Sequence, residues 1–138
     1  MLKSLLCELS KRKSSNIVFN QYQEKNMLNN LEAYLKYLLR YRSDILLIGE
    51  APGYRGCRLT GIPFTSGNVI KTSEHNIFRE IGREIVLPQV TSEKTATILW
   101  GFLGINKAVP ILWNAFPFHP HQSRKTEGNR RPNVSEIE

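Results

Sequence analysis

Apolar residues recur along this chain in three distinguishable patterns, and each predicts an element. At the N-terminus Leu2, Leu5, Leu6 and Leu9 fall at helical spacing within MLKSLLCELSKRK, which predicts a short amphipathic helix. After a polar connector, SKRKSSN, the positions Leu28, Leu31, Leu35 and Leu38 form one stripe between about 23 and 41. Met27 and Tyr34 widen that stripe, while Glu24, Lys25, Glu32 and Lys36 fall largely off it. A helix with one buried face accounts for all of them.

The pattern then changes. Ile45 to Ile48 is an unbroken apolar run, which predicts a strand covered on both faces inside a parallel sheet. Ile77, Ile81 and Ile85 predict a helix weakened at Gly82. Ser92 is the expected N-cap of a further helix, with Ala96, Leu99 and Leu103 inward and Gly104 closing it. Ile111 to Asn114 reads as a second buried strand, so strand, helix and strand predict a right-handed parallel crossover. The stretch from 116 to 133 is rich in proline and basic residues and is expected to be loop. The final VSEIE carries acidic residues where a helix N-terminus favours them.

Length and composition narrow the class. The 138 residues fit one domain, and 41% hydrophobic with 22% charged residues is a globular balance. No apolar run approaches the roughly 18 residues of a membrane span. The N-terminal segment lacks the continuous apolar stretch and cleavage site of a secretory signal, so the expected location is cytoplasmic. Cys7 and Cys57 are too few for a metal site or a disulfide framework, and two free thiols fit a reducing compartment. The net charge of +7 points to a polyanionic partner, with nucleic acid the commonest, or to a merely solvated basic surface.

Two loops hold most of the candidate chemistry. The first, GEAPGYRGCRLTGIPF at 49–64, packs four glycines and two prolines directly after the first strand. The second, NAFPFHPHQSRKTEGNRRPN, follows the other strand. Both lie at strand C-terminal ends, where open α/β sheets bind ligands. GEAPG after an apolar strand, then TGIPF, NAFPFHP and GNRRP, resemble the uracil-DNA glycosylase superfamily, most closely the branch whose first motif reads Gly-Glu-Ala/Gly-Pro-Gly. The matched order runs from about Asp44 to the last residue.

The resemblance implies a single domain over 1–138 with a three-layer α/β/α sandwich around a parallel sheet. The family's activity is hydrolysis of the N-glycosidic bond of uracil flipped out of DNA, as in base excision repair. Carried over, Phe64 stacks on the extruded base and Asn114 reads the uracil edge, its amide supplying the donor and acceptor that edge needs. Glu50 takes the acidic position, orienting water or stabilising a cationic sugar. Gly49, Ala51, Pro52 and Gly53 shape the pocket, with Gly56 and Gly61 further along the loop. Ala51 stands where the classical branch has its catalytic aspartate. Gly53 stands where that branch has a tyrosine that excludes thymine, and Tyr54 is adjacent.

Tyr54, Arg55, His119, Arg124, Lys125, Arg130 and Arg131 are candidate DNA contacts, with His121 beside them. Asn129, Arg130 and Pro132 match a recurring loop signature. The family's later His-Pro motif is not found behind a third strand, which leaves three expectations open: a fragmentary reading frame, a segment supplied by another chain as a partner besides DNA, or a degenerate homologue. The iron–sulfur branch uses four cysteines that Cys7 and Cys57 do not supply, so neither cluster nor other cofactor nor metal is expected. Each reading has a plainer counterpart. Phe64 serves equally as a hydrophobic plug, Asn114 as a partner for turn backbone, and Glu50 as a brace for its loop. Two other functions stay open: a non-catalytic nucleic-acid-binding module, and a small-molecule enzyme using the same strand-end cleft.

Overall fold

The computed structural model describes residues 1–105 and 107–137 and is a mixed α/β fold. Helix α1 spans Leu2–Lys11 and buries Leu6 and Leu9. The polar connector is not featureless. It holds strand β1, Val18–Phe19, and a 3-10 turn, Gln21–Gln23. Asn20 explains why the chain turns here. Its buried side-chain amide donates to Leu9 O and Arg12 O at 2.7 Å each, closing the carbonyl end of α1.

Helix α2, Lys25–Tyr41, starts two residues later than its stripe suggests, because Gln21–Gln23 is taken by the 3-10 turn. Its inward face carries Met27, Leu31, Tyr34 and Leu38. The face also buries Asn30, whose amide bonds Thr60 O, Val86 O and Val86 N–H and so ties three segments together. Strand β2, Leu46–Gly49, pairs in parallel with β3, Ile111–Asn114, in the register Leu46↔Ile111 to Gly49↔Asn114. Between them lie α3 (Cys57–Thr60), α4 (Gly67–Thr72), α5 (Asn76–Ile81) and α6 (Lys94–Leu103). The two short helices α3 and α4 have too little periodicity to show in the sequence.

Three expectations need correction. Helix α5 ends at Ile81, and Ile85 lies beyond it, since the chain leaves the helix at Gly82. The cap of α6 is Glu93, not Ser92: its carboxylate accepts from Thr95 N–H at 3.1 Å and Ala96 N–H at 2.8 Å. The third concerns β2. The strand expected to be covered on both faces is largely bare, with Leu46 56% and Ile48 60% exposed. Among the described residues its sheet has two strands, so β2 is an edge strand.

The two edges of this sheet are treated differently. Ile111 N–H donates to Ile45 O and Ala115 N–H to Gly49 O, so alternate residues of β2 face β3 and Leu46 and Ile48 turn their backbone groups outward. On the far edge of β3, the Tyr34 hydroxyl stands in for a neighbouring strand. It accepts from Leu112 N–H at 2.9 Å and donates to Pro110 O at 3.1 Å. No such side chain covers β2 among the described residues.

The segment after β3 is more ordered than a loop. Strand β4, His119–Pro120, pairs antiparallel with β1, and a last helix α7 spans Val134–Ile137. Phe116 and Phe118 turn into the core, and the Arg12 guanidinium lies 5.2 and 5.0 Å from their ring centres. No helix among the described residues is long and apolar enough to cross a membrane.

Candidate functional site

At the C-terminal ends of β2 and β3 a cleft of about 310 Å³ opens, near the lower end of the range for small-molecule pockets. Gly49, Glu50, Ala51, Pro52 and Gly53 form one wall, and Phe64 and Asn114 meet them. Cys57, Glu93, Thr95, Asn129 and Arg130 complete the lining. The structure therefore brings all the residues expected at the base pocket into one cavity.

Local strain places the aromatic ring. Phe64 has φ of 54°, a left-handed conformation that is uncommon for a bulky residue and costs on the order of 1–2 kcal/mol. Trp100 Nε1–H donates to Phe64 O at 3.0 Å, and Thr60 Oγ1 bonds Ile62 O, Ile62 N–H and Thr65 O around the same turn. The turn begins at Gly61, φ 74°, where a β-carbon would lie 2.2 Å from Met27 O. Only glycine fits there. The loop's glycine content is thus partly the packing of α2 against α3, not all site chemistry.

Asn114 closes β3 and is 5% exposed. Among the described residues its side-chain amide has no hydrogen-bond partner, so it does not serve the turn backbone. A nearly buried amide with open valences at the floor of a cleft is suited to a polar ligand edge. Gly49 lies directly between the two groups. A β-carbon there would meet Phe64 Cζ at 2.6 Å and Asn114 Oδ1 at 2.8 Å.

The carboxylates divide in character. Glu50 is on the open side, its side chain 60% exposed and 3.8 Å from the Arg131 guanidinium. An exposed pair at that distance contributes little to stability and leaves the carboxylate available to water or ligand. Glu93 has both oxygens engaged as the cap of α6. Cys57 lies at the base with Tyr22 Oη and Gln21 Nε2 near its sulfur, and burial pushes its thiol up to about 12. It is a protonated packing group at neutral pH, not a nucleophile.

The expected DNA contacts are also sorted. Arg55, Arg124, Lys125 and Arg131 are exposed, with the Arg55 guanidinium 5.4 Å from the Tyr54 ring centre. Tyr54 is half-buried, and its N–H donates to Asn129 Oδ1 at 2.9 Å. Three residues do not present a free side chain to a nucleic acid: His119, Arg130, and His121, which is buried with Nδ1 2.8 Å from Gln122 O. His119 is fully buried, its ring nitrogens 2.8 Å from Pro52 O and 3.0 Å from Thr126 O. Arg130 spends its guanidinium on Glu136 in a two-point contact and on the carbonyls of His121, Ile17 and Arg131. It braces the β1–β4 region against α7.

Sequence reasoning missed Glu93, Thr95 and Cys57 as cleft residues. Thr95 and Glu93 arrive there because α6 begins at the cleft, and a cap assigned one residue too early hid this. Cys57 has no sequence signal, since its place follows from α3. No protein-family model matches the chain, and no curated protein matches it.

Proposed function

We propose that the chain is a uracil-DNA glycosylase-like protein whose cleft receives an extruded uracil and hydrolyses its N-glycosidic bond, leaving an abasic site. The observation that carries this reading is the unpartnered amide of Asn114, buried at the cleft floor beside the Phe64 ring. An amide's adjacent donor and acceptor complement uracil's carbonyl and N–H, and oppose cytosine's pattern at two positions. The aromatic face takes any planar base, so it supplies affinity while Asn114 supplies choice.

In this reading the C1′–N1 bond breaks with its electron pair departing on uracil N1, and a water oxygen forms the new bond to C1′. The water's proton passes to the Glu50 carboxylate or to solvent, and the uracil anion takes one up. Glu50, on the open side of the cleft, is placed to hold that water and to offset positive charge on the sugar. Exposed Arg55, Arg124, Lys125 and Arg131 supply phosphate contacts. A three-layer sandwich is the finer form proposed for the fold. The bare outer edge of β2 supports a further strand, from another chain segment, as a partner.

The test is an oligonucleotide assay. Single-stranded DNA with one uracil is incubated with the chain, then treated with alkali. Scission at the uracil is expected, and it is lost in Asn114→Ala at unchanged thermal stability. Full excision by Asn114→Ala would show the pocket assignment to be wrong. A second reading, a non-catalytic nucleic-acid-binding module, draws on the cleft's sparse acid–base equipment. Glu93 and Arg130 are both consumed by structure, which leaves Glu50 as the available charged group of the lining. Salt-sensitive DNA binding without scission would favour that module.

A further inference from the structure

His119 links the first loop of the cleft to the basic segment that follows β4. Its Nδ1 lies 2.8 Å from Pro52 O and its Nε2 3.0 Å from Thr126 O. Carbonyl oxygens only accept, so each contact is a hydrogen bond only while that nitrogen carries a proton. A neutral ring makes one, and a protonated ring makes both. His121 stacks on it at 5.8 Å between ring centres, with planes 21° apart, and the positive charge of Arg58 on α3 acts on it as well. Burial opposes the second proton first, Arg58 and His121 add to that opposition, and the two carbonyls favour it.

The Pro52 end of this contact bears on the cleft. The chain has no cis peptide among the described residues, so across the Pro52–Gly53 peptide the C=O and the N–H point opposite ways. A Pro52 carbonyl aimed at buried His119 therefore leaves the N–H of Gly53, a residue that lines the cleft, aimed away from His119. That N–H finds no acceptor among the described residues. A donor on the carbonyl side also polarises the peptide and strengthens its N–H.

We propose that His119 is a positioning residue: by donating from Nδ1 to Pro52 C=O, it turns the Gly53 N–H into the cleft and strengthens it as a donor to a carbonyl or anionic oxygen of the bound base. The identity of that ligand as uracil rests on the function proposed above. The link between His119 and Gly53 does not.

Two substitutions separate the ring's ends, because an asparagine amide stands near the place of Nδ1 and a glutamine amide near that of Nε2. In amide proton–nitrogen spectra of the wild-type chain, the Gly53 resonance is expected to move with pH at the same inflection as the His119 ring. His119→Asn keeps the Gly53 shift close to wild type and loses the inflection, whereas His119→Gln loses both. Titrated with free uracil, His119→Gln binds about tenfold more weakly than His119→Asn, the worth of roughly one hydrogen bond. A Gly53 resonance that ignores the titration of His119 overturns the proposal, and so does equal uracil binding by the two variants. If wild type ignores uracil, the glycosylase reading falls, and the coupling in the wild-type spectra still decides the role of His119.

Discussion

Gly49 is where backbone and chemistry constrain each other most tightly. Any side chain there would occupy the space of the Phe64 ring and the Asn114 amide at once. Gly49→Ala is therefore expected to lose about 1–3 kcal/mol of stability by overpacking. It also displaces the two groups proposed to read the base, so discrimination of uracil should disappear in the same variant. Urea unfolding and uracil binding measured together check this, and a stability loss with intact discrimination would leave Gly49 a turn residue only. His119 sets a pH dependence. Its pKa is held below the usual 6.5 by burial, so the unfolded chain takes up a proton more readily. Stability from this group is full above about 6.5 and is lost as pH falls below it. Unfolding between pH 7 and 5 should show that slope, reduced in His119→Asn; an unchanged slope would contradict it. Glu136 acts lower. Its hydrogen bonds from Arg130 hold its carboxyl below 4.5, so their contribution persists until pH falls through that depressed value.

Helix α6 brings Glu93 and Thr95 to the cleft, and its start is set by a carboxylate acting as cap. Glu93→Ala should cost about 1 kcal/mol, while Ser92→Ala stays within about 0.5 kcal/mol; thermal unfolding of the pair decides between the two caps. The long helices were legible in the sequence because a stripe such as Leu28, Leu31, Leu35 and Leu38 repeats over enough turns to be read. The pairing of β2 with β3 was legible because two apolar runs flank helical sequence. Strands β1 and β4 were not, since two-residue strands carry no alternation, and their pairing joins residues about a hundred positions apart. The buried polar anchors Asn20, Asn30 and Gln21 were equally hidden. A polar residue shows in sequence as a surface candidate, and only the fold supplies the carbonyls that bury it.

The whole molecule combines a well-filled core with one uncovered strand. The sequence led to a covered β2 because an apolar run shows what a strand is suited to bury, and not whether anything in the chain packs on it. Gly49, Glu50, Phe64 and Asn114 were singled out through the motif resemblance, and the pattern of strands supplied only that the loops after β2 and β3 share one sheet edge. The open edge has its own consequence. Ile48→Lys should leave stability within about 0.5 kcal/mol and reduce self-association, since a lysine on an exposed strand deters edge pairing. Urea unfolding and light scattering test both, and a loss of several kcal/mol would mean that β2 is covered in solution.

The central claim is that the cleft distinguishes uracil by the Asn114 amide beside the Phe64 ring. Its most direct test compares affinities for two single-stranded oligonucleotides that differ at one nucleotide, 2′-fluoro-2′-deoxyuridine against 2′-fluoro-2′-deoxycytidine, whose fluorine resists glycosidic cleavage. The account predicts about tenfold or tighter binding of the uracil strand at fixed salt, and no preference in Asn114→Ala. Equal affinity of the wild-type chain for the two strands would contradict it.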